Sequence, residues 1–159
     1  MNRINLLLPV LVVAILFSCC KSPGSNPDRD RKEILRLLAD QRKYHFAKNA
    51  QKMAGMHSSR FITIDKGQID SPAFKDVYNK FNNYFNSVEF VKWDDKQPPI
   101  VRFSNDGSVA YAAVSKLVIL RTKDKTQKEI LDTTNFAWLA VFKKENGTWK
   151  LDCIASTNK

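Results

Sequence analysis

Residues 130–155 read ILDTTNFAWLAVFKKENGTWKLDCIA. Two runs rich in β-branched and aromatic residues flank the turn signal Glu145-Asn146-Gly147. The reading is a hairpin of two long strands, Ile130 to Phe142 and Thr148 to Ala155. A three-residue loop with Gly147 in the left-handed conformation sets Val141 against Leu151, Leu139 against Cys153 and Ala137 against Ala155. One face is then apolar throughout. The other mixes Phe136, Trp138, Ala140 and Phe142 with Lys150, Asp152 and Ile154, and is expected to be the outer, amphipathic face.

Upstream, the same period of two continues. Ser108 to Arg121 is a long strand after the turn Asn105-Asp106-Gly107. Ile100 to Phe103 and Val88 to Trp93 are shorter ones, separated by Pro98-Pro99. Before them the period changes. Phe74, Val77, Tyr78, Phe81, Tyr84 and Phe85 recur at helical spacing, with Ser71 as N-cap and Pro72 at the first helical position. Phe61 to Ile64 reads as a short strand ended by Asp65-Lys66-Gly67. Ala50 to Met56 reads as a short helix. From Asp30 onward, Ile34, Leu35, Leu37, Leu38, Gln41, Tyr44, Phe46 and Ala47 form one broad helical stripe. Arg31, Lys32, Arg36, Arg42, Lys43 and Lys48 occupy the opposite side.

This order of elements resembles the nuclear transport factor 2-like superfamily, in its SnoaL-like branch. The segments that carry the resemblance are Phe61 to Gly67, Phe103 to Tyr111 and Phe142 to Leu151, within residues 31–156. The fold class it implies is α+β: a cone in which a curved antiparallel sheet wraps N-terminal helices. The superfamily includes isomerases, dehydratases, cyclases and hydrolases, together with members that only bind or dimerise, so fold leaves function open. Ketosteroid-isomerase-like members place a carboxylate base after the first strand, with a tyrosine deeper in the cone. Asp65 stands near that base position, and Asp132 in the long strand is a second candidate. Tyr44, Tyr78, Trp93, Tyr111 and Trp138 are candidate ligand contacts of the cone.

The N-terminus carries an address. Asn2-Arg3 precede Leu6 to Phe17, twelve uncharged residues. That run is shorter than the roughly 20 residues needed to span a bilayer, and fits a signal peptide. Leu16-Phe17-Ser18-Cys19 resembles the lipobox of bacterial lipoproteins, which implies cleavage before Cys19 and its lipidation. Residues 1–18 are then the signal peptide, 19–30 the lipidated cysteine and a flexible tether, and 31–159 the domain. The expected location is the bacterial cell envelope, anchored to a membrane.

The chain has 159 residues with 26 Lys+Arg against 16 Asp+Glu, a formal +10. Loss of residues 1–18 removes Arg3 and no acid, leaving 25 bases, 16 acids and +9. On an exported, anchored protein that charge points away from nucleic acid and towards anionic headgroups or an anionic ligand. Among the cysteines, Cys153 reads as a small buried hydrophobe. His45 and His57 read as partly exposed helix residues, with no partner at metal-ligand spacing, and no cofactor motif is present. Asn146-Gly147-Thr148 matches a glycosylation acceptor but is read as the hairpin turn. Three readings follow: a non-catalytic binder of a small apolar ligand or protein partner, a pocket isomerase or dehydratase with an aspartate base, and a filled cone serving as a dimerisation module. A homodimer through the outer face at Phe136, Trp138 and Phe142 is expected.

Overall fold

The computed structural model describes residues 26–158, with the last side chain at Thr157. Residues 1–25, and with them Cys19, lie outside the described residues.

The first helix, α1, spans Pro27–Phe46. The Asn26 side chain accepts from the backbone N–H of Asp28 and Arg29, both at 3.1 Å, and Pro27 supplies a pre-set first helical residue. The helix thus starts inside the stretch expected as tether. Ile34, Leu38, Gln41 and His45 form its buried stripe. Lys48, at φ +50°, breaks it, and Asn49 caps the short α2 (Ala50–Gly55).

Strand β1 (His57–Asp65) runs into β2 (Gln68–Asp70) through Lys66-Gly67. Both turn residues sit at positive φ, as the tightest hairpins demand. Helix α3 spans Phe74–Ser87, two residues later than Ser71-Pro72 suggested. Its start is held by Asp76, whose carboxylate accepts from the Ala73 N–H at 3.2 Å, while Ser71 Oγ donates instead to the Phe61 carbonyl. Then come β3 (Glu89–Asp95), β4 (Ile100–Phe103), β5 (Val109–Lys123), β6 (Glu129–Glu145) and β7 (Thr148–Asn158).

One curved sheet has the order β2-β1-β7-β6-β5-β3, with β4 also paired to β5. The expectation of an antiparallel sheet holds for every pairing but one: β1 runs parallel to β7, with Thr63 opposite Ile154 and Ile64 opposite Ala155. First and last strands of the domain therefore lie side by side.

The closing hairpin differs from expectation. Asn146 and Gly147, at φ +50° and +77°, form a two-residue turn that pairs Glu145 with Thr148. Phe142 then opposes Leu151, a bulge follows, and Val141 opposes Cys153. Past the bulge the register is offset by two residues from the expected one, which preserves parity, so Leu139 and Val141 still share a face with Cys153 and Ala155. The face that turns inward is the opposite one, with Phe136, Trp138, Ala140 and Phe142, so the expected dimer surface becomes core. The outer face carries Tyr111, Ala113, Leu139 and Val141 instead, with Tyr111 opposite Val141 and Ala113 opposite Leu139.

The interior has two adjoining cores. One joins Ile34, Leu38, Phe61, Val77, Phe142, Trp149 and Leu151. The other joins Met53, Phe85, Phe90, Trp93 and Val118. Two charges are buried among them. Asp30, 1% exposed, accepts from Lys144 Nζ at 2.9 Å and Trp149 Nε1 at 3.1 Å. Lys116, also 1% exposed, donates to Asp95 and sits 4.5 Å from the centre of the Trp93 ring.

Candidate functional site

A cleft of about 470 Å³ opens between the β1–β2 hairpin, α3 and β7. Its size lies within the usual range for small-molecule sites. Alternation along β1 aims Phe61, Thr63 and Asp65 into it, and Ile154 and Ser156 do the same from the parallel neighbour. Helix α3 adds Val77 and Phe81 one turn apart, so the floor is apolar. The rim carries Asp65, Asp70, Asp76 and Lys80. Asp65 accepts from Ser156 Oγ at 3.2 Å.

His57 stands at the inner end, its ring centre 4.0 Å from that of Phe61. Its Nδ1 lies 3.2 Å from the Ala54 carbonyl. A carbonyl only accepts, so Nδ1 carries the proton and Nε2 keeps its lone pair. Burial pushes this imidazole down to about 4, against the opposing pull of the backbone carbonyl, and the Lys150 charge adds to the depression. At neutral pH His57 is uncharged. A second hollow shares His57, Phe61, Pro72 and Val77 with the cleft and continues past them towards Glu145 and Lys150.

Of the two candidate bases, Asp65 is in the cleft and Asp132 is not. Asp132 is exposed near the start of β6. It acts on Tyr84, whose hydroxyl is pushed up to about 12 by burial and then by that negative charge. None of the five aromatic ligand candidates lines the cleft. Trp93 is buried, with the His45 ring stacked on it at 4.0 Å. Tyr44, Tyr78 and Trp138 pack on the cores. Trp138 Nε1 is buried with no acceptor among the described residues. Tyr111 lies on the outer face, 43% exposed. The cleft therefore brings together carboxylates, hydroxyls and a neutral imidazole, with no tyrosine beside them.

The histidines correct the expectation of partly exposed helix residues. His45 is buried, and desolvation pushes it down to about 4 despite its hydrogen bond to the Gln41 carbonyl. His57 opens β1 rather than ending a helix. Its parity with Phe61, Thr63 and Asp65 was the available signal, but the irregular stretch at 58–60 interrupts it. Cys153 is half-buried opposite Val141, its thiol pushed up by burial and then by Asp152. Among the described residues, no three His, Cys, Asp or Glu side chains converge as a metal site, and no helix is long and apolar enough to cross a membrane.

The architecture is the cone of nuclear transport factor 2-like proteins. A candidate dehydratase of that family from Streptomyces avermitilis superposes with a TM-score of 0.69 at 11% identity, over 84% of this chain and 99% of its own. A candidate calcium/calmodulin-dependent kinase II association domain from Exiguobacterium sibiricum gives 0.66 at 16% identity, over 86% and 98%. A ketosteroid isomerase-like protein from Erwinia carotovora atroseptica gives 0.59 at 9% identity, over 82% and 92%. These likenesses are of fold. No family model and no curated protein sequence matches the chain.

Proposed function

We propose that this chain is a cell-envelope lipoprotein, anchored through Cys19, whose cone binds a small amphipathic molecule in the cleft between the β1–β2 hairpin and α3. The observation that carries the reading is the cleft itself: an apolar floor of Phe61, Val77, Phe81 and Ile154 under a polar rim. Such a lining removes the body of a ligand from water, at about 25 cal/mol per Å² of apolar surface, while polar rim groups orient it. The lipobox-like Leu16 to Cys19 supports the anchor. The exposed bases of α1, Arg31, Lys32, Arg36 and Lys43, suit an anionic surface close to it.

An enzymatic version keeps Asp65 as base, because Asp65 alone of the candidates lines the cleft. Binding without chemistry is favoured, because the tyrosine that such isomerases pair with the base has no counterpart at this site. A homodimer is the proposed assembly, now through the outer face at Tyr111, Leu139 and Val141.

The experiment is extraction of the full-length protein from membranes, followed by mass spectrometry of protein and bound small molecules. Wild type should carry acyl chains and an enriched small molecule. Val77→Trp, which fills the cleft floor, should lose the small molecule, and Cys19→Ser should remain an unacylated precursor. An unchanged small-molecule content in Val77→Trp would refute the cleft, and acylation of Cys19→Ser would refute the anchor.

A further inference from the structure

The chain is strongly basic, yet its cleft is acidic. The rim bears Asp65, Asp70 and Asp76 against the single Lys80. The lysine of the hairpin turn, Lys66, does not line it. Asp76 is engaged at the start of α3, where its carboxylate accepts from the Ala73 N–H at 3.2 Å, and Lys80 stands one helical turn further on. That leaves Asp65 and Asp70.

The hairpin register fixes how these two are placed. Thr63 opposes Asp70, and Asp65 opposes Gln68. Asp65 and Asp70 are thus diagonal neighbours on one face of the hairpin. Such positions lie about 7–8 Å apart. Two carboxylates at that spacing repel each other weakly when empty. They can both reach a single ammonium group placed between them, whose three N–H donors suit several acceptors at once. Ser156 Oγ already holds one Asp65 oxygen at 3.2 Å and so fixes the carboxylate's direction.

The inward face of β1 continues from this acidic end to Thr63, Phe61 and His57. Asp65 and Phe61 are four residues apart, about 13 Å along a strand. A cation at the acidic end therefore places its attached body over Phe61, Phe81 and the His57 ring. These are aromatic surfaces, and a neutral imidazole there adds no opposing charge.

We infer that the cleft selects an organic ammonium ion with an apolar or aromatic body, its nitrogen held between Asp65 and Asp70. This rests on the reading of the cleft as a binding site and replaces the anionic ligand suggested by the net charge of the whole chain.

The test is calorimetric titration of full-length protein with three probes of one shape: tryptamine (cationic), tryptophol (neutral) and indole-3-propionate (anionic), at neutral pH and physiological salt. Tryptamine should bind at least ten-fold more tightly than tryptophol, and indole-3-propionate most weakly. Asp65→Asn with Asp70→Asn should bring tryptamine down to the tryptophol level, while Asp132→Asn, remote and exposed, should leave all three unchanged. Val77→Trp should abolish binding of every probe. Equal affinity for tryptamine and tryptophol, or a preference for the anion, would overturn the inference and leave the cleft reading standing. No binding of any probe, together with an unchanged small-molecule content in Val77→Trp, would overturn both.

Discussion

Asp30, in the first turn of α1, accepts a hydrogen bond from Trp149 Nε1 at 3.1 Å, across 119 positions of sequence. Lys144 completes the site, donating to the other carboxylate oxygen at 2.9 Å and lying 4.8 Å from the Trp149 ring centre. One carboxylate thus ties the first helix to both arms of the closing hairpin. Desolvation raises the Asp30 carboxyl, but the Lys144 and Trp149 hydrogen bonds outweigh it and hold the group below the usual carboxylate value. Asp30→Ala should cost about 3–5 kcal/mol, because it strands Trp149 Nε1 and the lysine. Urea denaturation at pH 7 measures it; a loss under 1 kcal/mol would show the bond to be dispensable. The sign with pH follows from the depression. The stabilisation is full above the unfolded carboxyl value near 3.8 and is lost as pH falls through the lower folded value.

The two histidines shift in the destabilising sense. His45 and His57 are both pushed from about 6.5 to about 4 by burial, so the unfolded chain binds protons that the folded one refuses. Stability should fall as pH drops from about 6.5 to 4, by up to about 1.4 kcal/mol per pH unit for each histidine. His45→Phe, in a site ringed by Trp93, Phe85 and Phe90, should roughly halve that slope. Denaturation midpoints between pH 7 and 5 test this, and a slope unaltered by the substitution would remove His45 from the account.

Lys116 and Asp95 should respond unequally to mutation. Lys116 is buried, whereas the Asp95 side chain is 39% exposed. Asp95→Ala strands a buried cation and should cost about 3 kcal/mol or more. Lys116→Met leaves a carboxylate that water can reach and fills the space with an apolar chain, so it should cost much less. Thermal or urea unfolding of the pair decides the order; the reverse ranking would contradict the burial asymmetry.

Leu139, Tyr111 and Val141 form an apolar strip on the outer sheet face, with Leu139 and Tyr111 exposed. Apolar patches of this kind mark association surfaces. For the homodimer proposed through this strip, Leu139→Lys should give a monomer in sedimentation equilibrium while leaving the circular dichroism unchanged. A wild type that sediments as a monomer at tens of micromolar would dispose of the dimer.

The cone was legible because the hydrophobic period switches from helical to alternating after Ser87, and because the turn residues fall at regular intervals. Strand β4 was read with its observed limits, Ile100–Phe103. The faces of the last hairpin were not legible. Both faces of β6 carry large apolar residues, Phe136, Trp138 and Phe142 on one and Leu139 and Val141 on the other, so alternation alone does not say which turns inward. The parallel partner of β1 was hidden for a related reason: Phe61 to Ile64 carries no trace of a neighbour some 90 residues away. Of the site, Asp65 was placed by its position after the first strand. The rest of the cleft came from that distant pairing, and of the aromatic residues that looked available to a ligand, Tyr44, Tyr78, Trp93 and Trp138 went into or against the core and Tyr111 to the outer face.

Pairing β1 with β7 also has a consequence for when the domain can form. On a ribosome the chain emerges from its N-terminus, and β1 appears with only its short hairpin mate β2 to bind. Its long partner, β7, is the last strand of the domain to arrive. Contacts so far apart in sequence form late, after the largest loop has been closed. The cleft floor, which needs Ile154 and Ser156, therefore does not exist until β7 has emerged. The domain stays open, and threadable, for nearly the whole of its emergence, and acquires fold and cleft together at the end.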